Sequence, residues 1–445
     1  MAGRAQLTKV VAPDQLSGVI NIPGDKSISH RALILNSLAV GVGSISNFSP
    51  AKDCMSTIRC LKLLGVKVVK QPNKIPTVAV YGRGDSCLLE PADVLNAGNS
   101  ATTMRLLSGV LAAQPFLSVI TGDASLRSRP MGRVIHPLRL MGAEISGRRG
   151  DTCAPLVIRG CKNLRGIEYQ LEVPSAQVKS AILLAGLFAQ GDTVIEQPHP
   201  SRDHTERLLE FMGAKIRYDR KFVCVQPLSS PLKAIDIKVP GDISSAAYWL
   251  VAGTIHPNAK IKINGCGINP LRSGIVDALR EMGAIIKYEN EHTEGNEPVA
   301  DLIVESRRLR GIELGGEIIP RLIDEIPVIA VAACVAEGTT IIREASELRT
   351  KESDRIATTV RELSRLGANI EELPDGMIIR GGSILRGTGV NSHYDHRLAM
   401  ALAVAGLVAK GETLIRNASA SEISYPGFWQ TLEEVSIFQG TERRI

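Results

Sequence analysis

The chain has 445 residues, 44% of them hydrophobic and only 4% aromatic, with a formal net charge of +6. That length exceeds one ordinary core and predicts two or three domains, whose interiors rest on Leu, Ile, Val and Ala. The modest charge suits an acidic small molecule as well as nucleic acid, but there is no basic tail or basic stripe interleaved with aromatics, which argues against nucleic acid.

From the amino terminus, Met1 to Thr8 lacks the apolar core of a signal peptide. The longest apolar run, 398–409, is well short of the roughly 18 residues a membrane span needs. Cysteines at 54, 60, 87, 153, 161, 224, 266 and 334 form no Cys-x-x-Cys pair. We read them as reduced thiols of a cytoplasmic protein.

The first chemically dense stretch is Pro23-Gly-Asp-Lys-Ser-Ile-Ser-His-Arg-Ala32, at the mouth of an apolar run. Asp25 or Ser27 is suited to cap a helix there. Lys26 then stands beside the free N–H groups of the first turn, and Ser27 and Arg31 share a helical face. This is an anion site in waiting, or an ordinary capped helix with solvated charges.

Repetition organises the rest. A polar entrance followed by an Ala/Leu-rich run, a turn and a short strand recurs six times, at Gly24-Asp-Lys-Ser, Gly98-Asn-Ser-Ala, Pro174-Ser-Ala-Gln, Gly241-Asp-Ile-Ser, Asp324-Glu-Ile-Pro and Tyr394-Asp-His-Arg. A second phrase, hydrophobic-Gly-Ala/Val, recurs around Gly65, Gly142, Gly213, Gly283 and Gly367, where the glycine reads as a helix C-cap. The runs 180–189, 326–336 and 398–409 are apolar nearly all round and so predict buried helices. Buried helices ringed by strands make an α/β architecture with helices inside and sheets outside. Six units suggest two domains of three. The paired phrases Ile22-Pro-Gly-Asp and Val239-Pro-Gly-Asp suggest crossings near 24 and 241. One domain is then 25–240, and the other joins 1–24 to 241–445. The charged stretch Glu289 to Pro298 reads as a loop.

Titratable residues gather at the entrances: Lys26, Ser27 and Arg31; Asn99, Thr102 and Arg105; Ser175, Gln177 and Lys179; Asp324 and Glu325; Asp395, His396 and Arg397. The fourth entrance, at Ile243-Ser-Ser-Ala, carries no cation. Arg127-Ser-Arg129-Pro130, Lys351-Glu-Ser-Asp-Arg355 and Ser201-Arg-Asp-His-Thr-Glu206 add further charges. Each alone reads as a solvated, salt-bridged face. So many cations at equivalent helix mouths point instead to an anion-binding cleft between domains. The sequence has no Walker loop, G-x-G-x-x-G, zinc spacing or Gly-x-Ser-x-Gly elbow. Lys, Asp and Glu as proton carriers without a cofactor suit a transfer between an alcohol and an alkene.

Seven ordered motifs resemble the 5-enolpyruvylshikimate-3-phosphate (EPSP) synthase family from end to end. They are Gly24-Asp-Lys-Ser-Ile-Ser-His-Arg31, Gly98-Asn-Ser-Ala-Thr102 with Arg105, Asp123-Ala-Ser-Leu-Arg-Ser-Arg-Pro-Met131, Ser175-Ala-Gln-Val-Lys179, Arg202-Asp-His-Thr-Glu206, Lys351-Glu-Ser-Asp-Arg355 and Asp395-His-Arg397. The resemblance implies an inside-out α/β barrel of six βαβαββ units in two domains. It implies transfer of the enolpyruvyl group of phosphoenolpyruvate to the 5-hydroxyl of shikimate 3-phosphate, through a tetrahedral intermediate, by a cytoplasmic monomer without cofactor or metal. Its site residues carry over by motif. Phosphoenolpyruvate falls to Lys26, Asn99, Ala101, Arg129, Gln177, Arg355, His396 and Arg397. Shikimate 3-phosphate falls to Lys26, Ser27, Arg31, Ser175, Ala176, Gln177, Arg202, Asp324 and Lys351. The catalytic groups are Lys26, Asp324 and Glu352.

The chain departs from the enteric and plant pattern. Ala101 stands where those enzymes usually have Gly, and its methyl should crowd phosphoenolpyruvate. With Ser175-Ala-Gln-Val-Lys and Arg202-Asp-His-Thr-Glu, the chain is similar to the second, often glyphosate-insensitive class, so tolerance is expected. A C-terminal lysine of the enteric type is missing, since Ile423 precedes Ser424-Tyr-Pro426, and Leu271 stands where Thr is frequent. The sister enzyme acting on UDP-N-acetylglucosamine typically has Asn after the first lysine and a cysteine in a mobile loop; here Ser27 follows Lys26, and 115–131 has no cysteine. RNA 3′-phosphate cyclases share the repeat unit but need a nucleotidylated histidine and an RNA surface. A non-catalytic anion binder would not need Lys26, Asp324 and Glu352 together.

Overall fold

Every one of the six polar entrances starts a helix. The computed structural model describes residues 7–84 and 88–439; Cys87 and most of Met1 to Thr8 lie outside the described residues. The other seven cysteines are free thiols. The described chain divides into two compact units. One holds the chain up to Pro23, Gly241–His292 and Pro298 onward; the other holds Gly24–Pro240 with Thr293–Glu297.

The Gly24–Pro240 unit contains α1 (Lys26–Leu38), α2 (Lys52–Leu63), α3 (Ala101–Ala112), α4 (Gly132–Leu140), α5 (Ala176–Gly186) and α6 (His204–Phe211). Helices α1, α3 and α5 are buried on nearly all sides, while α2, α4 and α6 keep a polar face. An all-round apolar helix has no solvent face to offer, so it sits inside. Gly109 lets α3 and α5 meet backbone to backbone: a Cβ there would lie 2.1 Å from the Ala181 carbonyl oxygen.

Three four-stranded sheets surround these helices. In one, Leu95–Asn96 runs parallel to Leu117–Thr121, which is antiparallel to Cys153–Arg159, itself antiparallel to Glu144–Gly147. The same order recurs in the sheet around Thr193–Glu196. It recurs again around Val40–Ser46, whose parallel partner is Ile237–Lys238, far along the chain.

The other unit repeats the plan with α7 (Ile243–Ile255), α8 (Gly274–Glu281), α9 (Ile326–Val335), α10 (Arg355–Arg365), α11 (His396–Gly406) and α12 (Phe428–Val435). Again the odd-numbered helices are the buried ones. One of its sheets pairs Glu313–Leu314, Thr339–Ile342, Gly376–Arg380 and Asn369–Leu373 in the order seen above. The amino-terminal strands Leu7–Val11 and Gln15–Asn21 complete the other two. Within each unit the helices are therefore inside and the sheets outside.

Local chemistry explains the element ends. Asp25 accepts from Ile28 N at 2.9 Å and so caps α1; Asp242 accepts from Ser244 N at 2.8 Å and caps α7. Gly65, Gly142, Gly213, Gly283 and Gly367 all have φ between 82° and 106°. That is the left-handed conformation in which a helix C-cap favours glycine.

One expectation is overturned. Glu289 to Pro298 is not a loop but lies in a long hairpin, Ile286–Glu294 with Glu297–Glu305. Gly295 and Asn296 both have positive φ (54° and 63°), as a two-residue type I′ turn requires. The Gly-Asn pair was the available signal. The run of exposed polar residues on the first strand concealed it.

Candidate active site

The candidate residues fall into two sets, one in each unit. In the Gly24–Pro240 unit they stand at the mouths of α1, α3, α5 and α6. Lys26 opens α1, and its Nζ lies 2.8 Å from Asp53 Oδ2, at the start of α2. Arg31, one turn on, is buried and points towards α5 and α6. Its Nε donates to Thr205 Oγ1 at 2.6 Å, Nη2 to Ser180 Oγ at 2.8 Å and Nη1 to the Ser27 carbonyl at 3.0 Å. Burial, against the pull of Glu206, brings its pKa down to about 10, which still leaves a cation at neutral pH. Beside it, burial drives His30 down to about 3, so the imidazole is neutral; its Nδ1 contacts Thr57 Oγ1 at 2.7 Å.

Asn99 and Gln177 are clamped by their neighbours. Asn99 donates to Asp123 Oδ2 at 2.8 Å and accepts from Arg129 Nη2 at 2.9 Å. Gln177 accepts from Arg105 Nη1 at 2.6 Å and donates to Thr102 Oγ1 at 2.9 Å. With both ends engaged, neither amide is free to flip. Ala101 is the first residue of α3, whose cap is Ser100, and is 7% exposed. Ser175 caps α5, Ala176 follows it half-buried, and Arg202 is half-buried just before α6.

In the other unit, Arg355 is the hub. It opens α10, is 2% exposed, and meets three carboxylates: Asp395 at 2.8 Å, Glu352 at 2.6 Å and Asp324 at 3.4 Å. Burial lowers its pKa, but Asp395, Glu352 and Asp324 outweigh that, and the net shift is upward. Burial alone would raise the Asp395 carboxyl; Arg355 and then His396 hold it below the usual range. Lys351 lies 3.0 Å from Glu347 and 4.0 Å from Asp324. His396 and Arg397 open α11 and are buried. Arg397 Nη1 is 3.9 Å from Glu325 Oε1, which Arg272 and Ser244 also contact. Burial disfavours the Arg397 cation, yet Tyr248, Asp324 and Glu325 raise its pKa well above normal.

The arrangement thus gives each unit its own focus. In one, Lys26 opens α1 and Arg202 just precedes α6, with Arg31 one turn inside α1 and Arg129 on Asn99, cations of the kind that suits phosphate oxygens. The focus in the other is a carboxylate–arginine cluster, suited to binding one anion while keeping proton carriers beside it.

Lys179 does not belong to the entrance set. It is 0% exposed and paired with Glu206 at 2.6 Å, turned into the protein from the second turn of α5. The sequence reading also missed Asp53, the contacts of Glu325 with Arg272 and Ser244, and the orienting role of Asp395. Asp395 was visible as part of a polar entrance, but nothing local marks its partner Arg355, 40 residues away.

A family model described as EPSP synthase (3-phosphoshikimate 1-carboxyvinyltransferase) matches residues 10–432. A 3-phosphoshikimate 1-carboxyvinyltransferase from Herpetosiphon aurantiacus is 52% identical over 423 residues, 95% of this chain and 97% of its own. One of the same name from Bacillus thuringiensis is 52% identical over 421 residues, again covering 95% of this chain and 97% of its own. The solved structure of EPSP synthase from Acinetobacter baumannii superposes with a TM-score of 0.87 at 39% identity, covering 98% of this chain and 99% of its own. On this evidence the chain belongs to the EPSP synthase (3-phosphoshikimate 1-carboxyvinyltransferase) family.

Proposed function

We propose that this chain transfers the enolpyruvyl group of phosphoenolpyruvate to the 5-hydroxyl of shikimate 3-phosphate, releasing phosphate. In this reading Ser27, Arg31, Ser175, Ala176, Gln177, Arg202 and Lys351 hold shikimate 3-phosphate. Asn99, Ala101, Arg129, Gln177, Arg355, His396 and Arg397 hold phosphoenolpyruvate, and Lys26 touches both.

The chemistry balances without an electron carrier. Asp324 takes the proton of the 5-hydroxyl as its oxygen attacks C2 of phosphoenolpyruvate. Glu352, with Lys26, delivers a proton to the methylene carbon, giving the tetrahedral intermediate. Loss of that proton and departure of phosphate then restore the alkene, with arginine and lysine offsetting the leaving charge.

The observation that carries this reading is the Arg355 cluster. Arg355 is saturated by Asp395, Glu352 and Asp324. An incoming substrate carboxylate must compete for that guanidinium. Asp395 is also held by Ser353 Oγ and two backbone N–H groups, so Glu352 and Asp324 are the easier partners to displace. A Glu352 displaced from Arg355 is then available to the substrate as a proton carrier. Binding of phosphoenolpyruvate would thereby arm the acid.

The test is phosphate release from phosphoenolpyruvate with shikimate 3-phosphate, against UDP-N-acetylglucosamine as control. Release with the sugar nucleotide alone would overturn the reading. Cytoplasmic location and action as a monomer belong to the same proposal. Among the described residues, no helix is long and apolar enough to cross a membrane.

A further inference from the structure

The assignments above leave a buried ion pair unused. Lys179 Nζ and Glu206 Oε1 are 2.6 Å apart, with side-chain exposures of 0% and 1%. Nζ also donates to Gln197 Oε1 and to the Ser201 carbonyl, each at 3.1 Å. Two of the ammonium's protons are thus placed on neutral oxygens, and the Glu206 carboxylate faces it as the countercharge. Burying two ions is a poor way to stabilise a fold, because desolvation offsets most of their attraction and apolar residues of equal volume serve as well. The pair is better explained by where it sits.

Lys179 lies on α5, two residues beyond Gln177 and four beyond Ser175. Its carbonyl acceptor Ser201 is the residue before Arg202, and its ionic partner lies on the first turn of α6. Next to them in the chain, Ser180 after Lys179 and Thr205 before Glu206 form a second link at 2.7 Å, and both receive Arg31. The two links therefore tie together the backbone segments carrying Ser175, Gln177, Arg202 and Arg31.

We propose that Lys179 and Glu206 are positioning residues for shikimate 3-phosphate, fixing the spacing between the mouth of α5 and the Ser201–Arg202 segment so that Ser175, Gln177 and Arg202 meet one ligand together. This rests on the reading of those three residues as shikimate 3-phosphate ligands. A displacement of about 1 Å in a positioned group is enough to cost orders of magnitude in rate.

The experiment is steady-state kinetics on the double variant Lys179→Met/Glu206→Gln, which removes both charges of the pair together. The expected result is a cooperatively unfolding protein whose KM for shikimate 3-phosphate rises at least about tenfold, while the KM for phosphoenolpyruvate stays within about twofold. A KM for shikimate 3-phosphate within about twofold of the parent, or equal rises in both, overturns the proposal. If the double variant does not fold, Glu206→Gln alone decides. It keeps volume and an acceptor for Lys179, and should raise the same KM about threefold or more; an unchanged KM counts against the pair. Arg202→Ala is run in parallel. No effect of Arg202→Ala means the ligand reading has failed. An effect there with none in the pair variants means only the positioning role has failed.

Discussion

Asp395 joins two arginines that stand on different helices. Its carboxylate accepts from Arg355 Nε at 2.8 Å, and the same group accepts the backbone N–H of Arg397 at 2.8 Å. A helix cap thus doubles as the anchor of a buried guanidinium, and the first turns of α10 and α11 cannot shift independently. Asp395→Asn keeps an acceptor for the cap but removes the charge facing Arg355. Breaking one side of a buried pair costs about 3–5 kcal/mol. We expect kcat/KM for phosphoenolpyruvate to fall at least about 100-fold while titration calorimetry still detects shikimate 3-phosphate binding. A drop of less than about tenfold would show that Arg355 holds its place without Asp395.

Lys26 tests whether an entrance cation is structural. The cap of α1 is Asp25, and the equivalent entrance at Asp242 and Ile243 is capped the same way without a lysine. Lys26→Ala therefore leaves the cap in place and removes a partly buried ion pair with Asp53. Its melting temperature should move by a few degrees at most, while turnover falls by about 10³-fold or more, since the residue is proposed to touch both substrates. Turnover near the parent value would remove Lys26 from the mechanism.

What could be read from the chain and what could not follow from the range of the interactions. The six entrances were legible because a polar helix start and the apolar run behind it are local features. The C-cap glycines were legible for the same reason, and the runs apolar nearly all round pointed to helices inside. Lys179 was misjudged because its identity as a cation is local but its partner, Glu206, is not. At a helix mouth the same residue would serve a ligand; one turn deeper it meets a carboxylate. The hairpin around Gly295–Asn296 was missed because its first strand is mostly exposed, and so carries no apolar alternation to betray it. The orientation of Arg355 by Asp395 depends on two repeats packing together, which no window of sequence contains.

His30 makes stability depend on pH. Its folded pKa is about 3, pushed down by burial from an ordinary 6.5. The unfolded chain therefore binds a proton that the folded chain refuses once the pH falls below 6.5. This contribution to stability is complete above that value and is lost as pH drops, by about 1.4 kcal/mol per unit once well below it. Urea unfolding at pH 7.5 and 5.5 should show a loss of about 1 kcal/mol from this residue. His30→Gln, which has no titrating ring, should lack that part of the loss. An identical pH dependence in parent and variant would mean that His30 takes up its proton without unfolding.

Ala101 bears on glyphosate. Its neighbours are pinned: Asn99 by Asp123 and Arg129, Ser100 as the cap of α3, and Thr102 by Gln177. The methyl group consequently has no easy way to retreat from a ligand at the mouth of α3. Glyphosate is a longer molecule than phosphoenolpyruvate, so the same methyl should penalise it more. A misfit of one methyl is worth about 1–3 kcal/mol, or roughly 10–200-fold. We expect weak inhibition of the parent enzyme and, for Ala101→Gly, a glyphosate inhibition constant at least about tenfold lower, with the KM for phosphoenolpyruvate changing much less. The deciding measurement is inhibition as a function of phosphoenolpyruvate concentration. Tight competitive inhibition of the parent, or an Ala101→Gly variant no more sensitive than it, would show that something other than this methyl governs access.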